Sequence, residues 1–184
     1  MRAVPFDESH HPKRIEEVMK DTIRTRKNGR SRSLTGPPVP IRVTSRFRAA
    51  PERVFNAWLD PNVARRWLFA TASRPMQHVQ IDARIAGSFH IAERRDGNGA
   101  GHTGEYVEIV PRRRLVFTLR TEEHPDVRTR VTVEIAALRS GSELTLIHEN
   151  VPPEHANETE GRWTGILYGL GLTLASRAGR SAPR

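Results

Sequence analysis

His148 is the side chain whose type and position are best suited to chemistry. It shares strand parity with Leu144 and Leu146, which places it on the core side of its strand, near the strand's end. A histidine there could act as general acid and base for a cyclase or hydrolase, provided that a second polar group lies beside it. The alternative is a ring whose nitrogens are satisfied at the rim of the core. We favour that alternative and assign no catalytic residue.

Other catalytic, metal-binding or nucleotide-binding motifs are either missing from the sequence or lie in a sequence context that does not support them. The chain has eight histidines without an H-x-H or H-E-x-x-H pattern, and His148-Glu149 with His155 lacks a third ligand in register. Gly99–Gly104 spells G-x-G-x-x-G, but the β-branched run that follows ends at Pro111, which favours a hairpin over a nucleotide loop. There is no G-x-S-x-G nucleophile motif and no cysteine. We therefore predict neither a metal site nor a cofactor.

The formal net charge of +9 belongs to the ends of the chain. Residues 1–48 carry twelve Lys and Arg against five Asp and Glu, whereas residues 49–175 carry fifteen against sixteen. Phe47 is the one aromatic residue in the basic stretch 22–50, so single-stranded nucleic acid would find no stacking platform there. We expect no nucleic acid partner, no membrane span and a cytoplasmic location, because the N-terminus lacks the apolar run of a signal peptide.

A long amphipathic helix predicted over residues 157–178 is the element around which the other elements must be arranged. Asn157 and Glu160 have the spacing of a capping box, and Gly179 follows the last periodic residue. One apolar stripe faces the core, formed by Trp163, Ile166, Leu167, Leu170 and Leu174. The predicted helix therefore offers a single face to a sheet.

The remaining elements follow the order β-α-α-β-β-β-β-β-β-α, which predicts an antiparallel meander. Two short helices begin at Pro51 and Pro61. The predicted strands are Ile41–Arg48, Gln77–Ala83, Gly87–Arg94, Gly104–Val110, Leu115–Arg120, Val127–Ala136 and Leu144–Glu149. Residues 1–40 are predicted to be a basic extension with a short helix over Lys13–Lys27, residues 41–178 the domain, and residues 179–184 a basic tail.

Several segments, in order, resemble the heat-shock protein 90 ATPase activator-like family of the START-like SRPBCC superfamily. They are Ala50–Pro61, Ala64–Trp67, Gly87–Phe89, Gly104–Pro111, Arg114–Thr118, Leu144–His148 and Gly161–Trp163. The resemblance covers about residues 41–175. It implies an α+β helix-grip fold, in which a curved antiparallel sheet wraps around the long C-terminal helix, often with an apolar cavity between them.

The resemblance implies binding of a small hydrophobic or amphipathic ligand, because relatives include lipid and polyketide binders as well as co-chaperones and cyclases. We predict a cavity bounded by Trp163 and opening near His148. Its predicted lining is Trp67, Phe69, Phe89, Tyr106, Phe117, His148 and Trp163. A single tryptophan stands at Trp67, followed by Leu68, where many relatives show a Trp-Trp pair.

Interaction with another protein is the alternative function. A chaperone-associated or other interaction module could use the basic arm, although the arm is shorter than the separate N-terminal domain of the co-chaperone relatives. Gly161, Gly165 and Gly169 also repeat every four residues opposite the apolar stripe, beside Tyr168 and Leu172. Small residues permit close helix packing, so this face could receive the Lys13–Lys27 helix or the same face of a second subunit.

Overall fold

The computed structural model describes residues 36–70, 76–93, 101–122 and 124–178, with residues 124, 177 and 178 described by their backbone. The predicted helix over Lys13–Lys27 and the basic tail 179–184 lie outside these residues.

One antiparallel sheet of seven strands forms the body of the domain, in the spatial order β1-β7-β6-β5-β4-β3-β2. Consecutive strands from β2 to β7 pair through short connections, and β1 completes the sheet by pairing with β7. The bounds are β1 Val39–Phe47, β2 His78–Ile81, β3 Ser88–Ala92, β4 Gly101–Val110, β5 Arg114–Thr121, β6 His124–Leu138 and β7 Gly141–Val151. The predicted element order and meander are confirmed.

Within the described ranges, three helices complete the fold: α1 Pro51–Leu59, α2 Pro61–Ala64 and α3 Ala156–Ala178. Asp60 separates the first two, and its Oδ1 accepts a hydrogen bond from the Asn62 backbone N–H at 2.9 Å, which caps α2. A 3-10 turn over Pro153–His155 leads directly into α3. The predicted cap at Asn157 is therefore wrong, because helical turns already precede that residue.

The inner face of the sheet and the apolar stripe of α3 bury each other. All five stripe residues of α3 are buried, as are Leu144, Leu146 and His148 on β7. Full burial of an aliphatic or aromatic side chain contributes about 1.5–3 kcal/mol. This packing confirms the predicted orientation of α3 and the predicted parity of β7.

The outer face of the sheet carries rows of charge across neighbouring strands. Arg46 on β1 lies 2.8 Å from Glu143 on β7, and Arg114 on β5 lies 2.6 Å from Glu134 on β6. These side chains are largely in water, where such a pair contributes about 1 kcal/mol or less. The outer face therefore adds solubility and register rather than core stability.

The outward side of α3 differs from the predicted three-glycine face. Gly161 and Gly165 have open space where a side chain would lie, but a Cβ at Gly169 would be 3.6 Å from Trp67 Cβ. Gly169 therefore packs inside the domain and belongs to a different side of the helix. Tyr168 and Leu172 are 70% and 57% exposed. A second subunit on the Gly161 and Gly165 side stays a prediction.

Candidate ligand-binding site

Aromatic side chains from six elements and segments converge between the inner face of the sheet and α3. Trp58 of α1 meets Trp67 edge to face, with ring centroids 4.8 Å apart. Trp58 also lies 6.1 Å from Phe117 of β5 and 6.4 Å from Trp163 of α3. Phe89 of β3 joins the group, 5.5 Å from Phe117. The other aromatic members are Phe69, which follows α2, and Tyr106 of β4.

A void of about 10 Å³ lies within this cluster. A volume of that size holds one water molecule at most. Its lining consists of Trp58, Leu68, Phe69, Phe89, Tyr106, Leu115 and Phe117. Four of the seven predicted lining residues are among them, whereas Trp67, His148 and Trp163 are not. The void therefore has neither the wall at Trp163 nor the opening at His148 that the sequence predicted.

Larger recesses lie on the surface. One, of about 360 Å³, lies against strands β3–β6, where it is lined by exposed polar groups such as Ser88, Glu105 and Arg128. Another, of about 670 Å³, is a shallow depression at the end of the sheet beside Ala50 and Gly141. Neither has the aromatic, water-excluded walls of a binding site for an apolar molecule.

The three tryptophans differ in how their indole N–H groups are satisfied. Trp67 Nε1 donates to the Ala57 carbonyl oxygen at 3.3 Å, and Trp163 Nε1 donates to His148 Nδ1 at 3.0 Å. Trp58 Nε1 is buried and has no hydrogen-bond partner among the described residues. Leaving a buried donor unpaired costs about 1–3 kcal/mol. Sequence patterns do not single out Trp58, because periodicity does not show which indole lacks an acceptor.

His148 belongs to a continuous hydrogen-bond chain. Because Nδ1 accepts from Trp163, the neutral ring carries its proton on Nε2, which lies 2.7 Å from Thr129 Oγ1. Thr129 Oγ1 in turn donates to the Leu119 carbonyl oxygen at 3.0 Å. Burial lowers the pKa of His148 to about 4, so the ring is neutral at pH 7. Both nitrogens are engaged with protein groups, which favours the structural role over acid–base chemistry.

His102 on β4 is a second buried histidine, and sequence patterns did not single it out. Burial, with the positive charge of Arg162, lowers its pKa to about 4, while a hydrogen bond with the Ile91 backbone acts in the opposite direction. Its ring lies parallel to that of Phe69, with centroids 3.8 Å apart and 4° between the planes. Its Nδ1 is buried without a hydrogen-bond partner in the described part of the chain. Unlike His148, it keeps unused hydrogen-bonding capacity.

Tyr106 supplies a neutral phenol ring to the cluster. Burial, followed by the negative charge of Asp82, raises the pKa of its hydroxyl well above the ordinary value. No three His, Asp or Glu side chains within the described ranges converge as metal ligands. None of the described helices is long and apolar enough to cross a membrane.

The fold and this aromatic interior define a helix-grip protein of the SRPBCC superfamily. Residues 48–175 match the family described as activator of Hsp90 ATPase homolog 1-like protein. The chain belongs to that family, as its sequence motifs predicted.

Solved structures of similar proteins have the same fold. Protein CV1439 from Chromobacterium violaceum is 27% identical with a TM-score of 0.64, over 73% of this chain and 96% of that one. An AHSA1-like protein from Aeromonas hydrophila is 21% identical with a TM-score of 0.64, over 79% and 99%. Protein SA2116 of unknown function from Staphylococcus aureus is 13% identical with a TM-score of 0.69, over 79% and 98%. No curated protein matches the chain.

Proposed function

We propose that the protein binds a small hydrophobic or amphipathic molecule in the aromatic cluster between the sheet and α3. The observation that carries the proposal is Trp58, which lines the void while its indole N–H has no acceptor among the described residues. A ligand with one acceptor atom would satisfy this donor and bury its apolar part among rings. Sites of this kind combine apolar walls with a few polar groups that orient the ligand.

The size of the void sets a condition on this function. Pockets for small organic molecules have volumes of about 300–1,000 Å³, and the void holds about 10 Å³. Binding therefore requires a more open state, in which a ligand displaces at least one lining side chain. Phe69 is only half-buried, whereas Phe89 and Phe117 are buried. Phe69 is thus the lining ring that can leave at the smallest cost.

The other candidate functions receive less support. General acid–base catalysis by His148 would need a ring nitrogen available to a substrate, and both nitrogens already have partners. An interaction through the basic arm depends on residues outside the described ranges. Small-molecule binding in a cytoplasmic protein is therefore the function we put forward.

Native mass spectrometry of freshly purified protein tests the proposal, because a bound molecule would add a discrete mass. Trp58→Phe keeps an aromatic ring, although a smaller one, and removes the donor, so we expect affinity for that molecule to fall about tenfold, the value of one hydrogen bond. Trp67→Phe is the matched control, since its indole donates to Ala57 rather than bordering the void. Equal losses of affinity in both variants would contradict the role of Trp58. The function itself would be contradicted if no bound molecule were found and hydrophobic probes did not bind either.

A further inference from the structure

Phe69 borders both parts of the site in which a polar group has no hydrogen-bond partner within the described protein. One face of its ring stacks on His102, with 3.8 Å between centroids, and the ring lies 5.8 Å from that of Trp163. Phe69 also lines the void together with Trp58. His102, on which the ring stacks, and Trp58, which borders the same void, each have a buried nitrogen without a partner in the described structure: His102 Nδ1 and Trp58 Nε1.

The backbone at Phe69 is unfavourable for a phenylalanine. Its φ is 61°, in the left-handed region, where residues other than glycine are uncommon and a bulky side chain is strained. The preceding turn is well fixed, because the Trp67 and Leu68 amides both donate to the Ala64 carbonyl oxygen, at 3.1 and 2.8 Å. The strain therefore falls on one half-buried residue, and it would be relieved only if the backbone at Phe69 changed conformation as the ring left.

We propose that the Phe69 ring occupies the place of a planar aromatic ring of the ligand, which displaces Phe69, stacks on His102 and hydrogen-bonds to Trp58. This inference rests on the proposed function and names its ligand class: a flat aromatic compound with a polar substituent, such as a phenol. A flat ring is required because the exposed surface left by Phe69 is the face of the His102 imidazole. The polar substituent is required because Trp58 Nε1 is otherwise unpaired.

The neutral state of His102 suits this role. Its pKa of about 4 leaves the ring uncharged at pH 7, so a stacked aromatic ligand meets no buried positive charge there. Trp58 and His102 are 2% and 7% exposed, so both are shielded from bulk water while Phe69 is in place. Neither Trp58 Nε1 nor His102 Nδ1 has a partner among the described residues, and the polar substituent of the ligand would pair the Trp58 donor.

Removal of the Phe69 ring provides the test. Phe69→Gly suits the positive φ and takes away the ring, so the surrounding backbone can keep its conformation. The probes are 2-naphthol, which is flat, and decahydro-2-naphthol, which has the same carbon skeleton and hydroxyl group but is saturated and not flat. Isothermal titration at pH 7.5 should show 2-naphthol binding at least tenfold tighter to Phe69→Gly than to the wild type, with no such gain for the saturated alcohol.

Two further variants keep the test decisive. Phe69→Asn serves if the glycine variant does not fold, because asparagine tolerates positive φ. Leu115→Ala enlarges the same void from β5 without uncovering His102, so it should gain affinity for both alcohols alike. A preference for 2-naphthol in Leu115→Ala as strong as that in Phe69→Gly would overturn the assignment of the Phe69 position.

The outcomes separate this inference from the proposed function. If 2-naphthol binds the wild type and Phe69→Gly equally, or if Phe69→Gly gains equally for both alcohols, the ring-replacement inference is wrong while the binding function stands. If neither alcohol binds any of these proteins and no bound molecule is found in the wild type, both are wrong.

Discussion

His148 and His102 occupy two corners of the same inner face of the sheet, one on β7 and the other on β4. Both are 7% exposed, and burial lowers the pKa of each to about 4. At His148 both nitrogens have partners in a chain that runs from Trp163 to Thr129. At His102 one nitrogen has none in the described structure, and a strained Phe69 covers the ring.

This difference shows that burial and a shifted pKa do not by themselves mark a functional residue. A perturbed pKa is common at functional sites but also arises wherever a ring is removed from water. What separates the two corners is unused hydrogen-bonding capacity, together with a neighbour that is held weakly enough to leave. By that criterion the His148 corner stabilises the fold, and the His102 corner is available for a ligand.

The largest expected effect is a loss of stability at low pH, to which His148 and His102 both contribute. Each histidine has a pKa near 6.5 when unfolded and about 4 when folded, so the unfolded chain binds protons first as the pH falls. Their contribution to stability is present above pH 6.5 and is lost between pH 6.5 and 4. From pH 7.5 to 4.5 the two together should cost about 5 kcal/mol of unfolding free energy.

Urea unfolding at the two pH values measures this loss. His148→Gln cannot titrate, so it should reduce the pH-dependent loss by about half. An undiminished loss in that variant would mean that His148 does not resist protonation in the folded state.

The second expected effect separates the corners. His148→Leu leaves the Trp163 indole N–H without its acceptor and removes the bond to Thr129, which should cost about 2–4 kcal/mol. His102→Leu removes a nitrogen that is already unpaired, which offsets the loss of the hydrogen bond with the Ile91 backbone, so stability should change by about 1 kcal/mol or less. Chemical denaturation at pH 7.5 measures the free energy of unfolding of both variants. Equal losses of stability would contradict the distinction between the His148 and His102 corners.

Sequence patterns predict the position of His148 but not that of His102, for physical reasons. The alternation from Leu144 to His148 assigns parity, and parity alone places His148 on the inner face. His102 follows a glycine-rich stretch, and the predicted strand began at Gly104, whereas β4 begins at Gly101. The predicted strand therefore does not show which face of the sheet His102 occupies.

The size of the void also cannot be predicted from the sequence. Four of the predicted lining residues do border the void: Phe89, Tyr106 and Phe117 occupy inward-facing strand positions that must share one core, and Phe69 follows α2. The size of the void depends on how Phe69 is placed, and its left-handed backbone follows from the α2 turn rather than from any periodicity.

A smaller effect is expected at the far end of the His148 chain. Thr129→Val preserves shape and removes the oxygen that accepts from His148, so it should cost about 1–2 kcal/mol. Thr44→Val is the matched control, because Thr44 lies exposed on the outer face, where such changes stay within about 0.5 kcal/mol. Thermal unfolding of the two variants measures the difference, and similar midpoints would show that the chain adds nothing to stability.

The smallest expected effect belongs to Phe69, although its variant removes a whole ring. Phe69→Gly loses the transfer energy of a half-buried ring, about 1–1.5 kcal/mol, and glycine adds disorder to the unfolded chain. Relief of the positive φ offsets about 1 kcal/mol or more of that loss. The net cost should therefore be about 1 kcal/mol or less. Trp163→Phe, which deletes the N–H that His148 accepts and part of a buried ring system, should cost about 2–3 kcal/mol. Urea unfolding compares the two variants. If Phe69→Gly lowers the free energy of unfolding much more than Trp163→Phe does, the Phe69 ring belongs to the structural core, and both corners then serve to stabilise the fold.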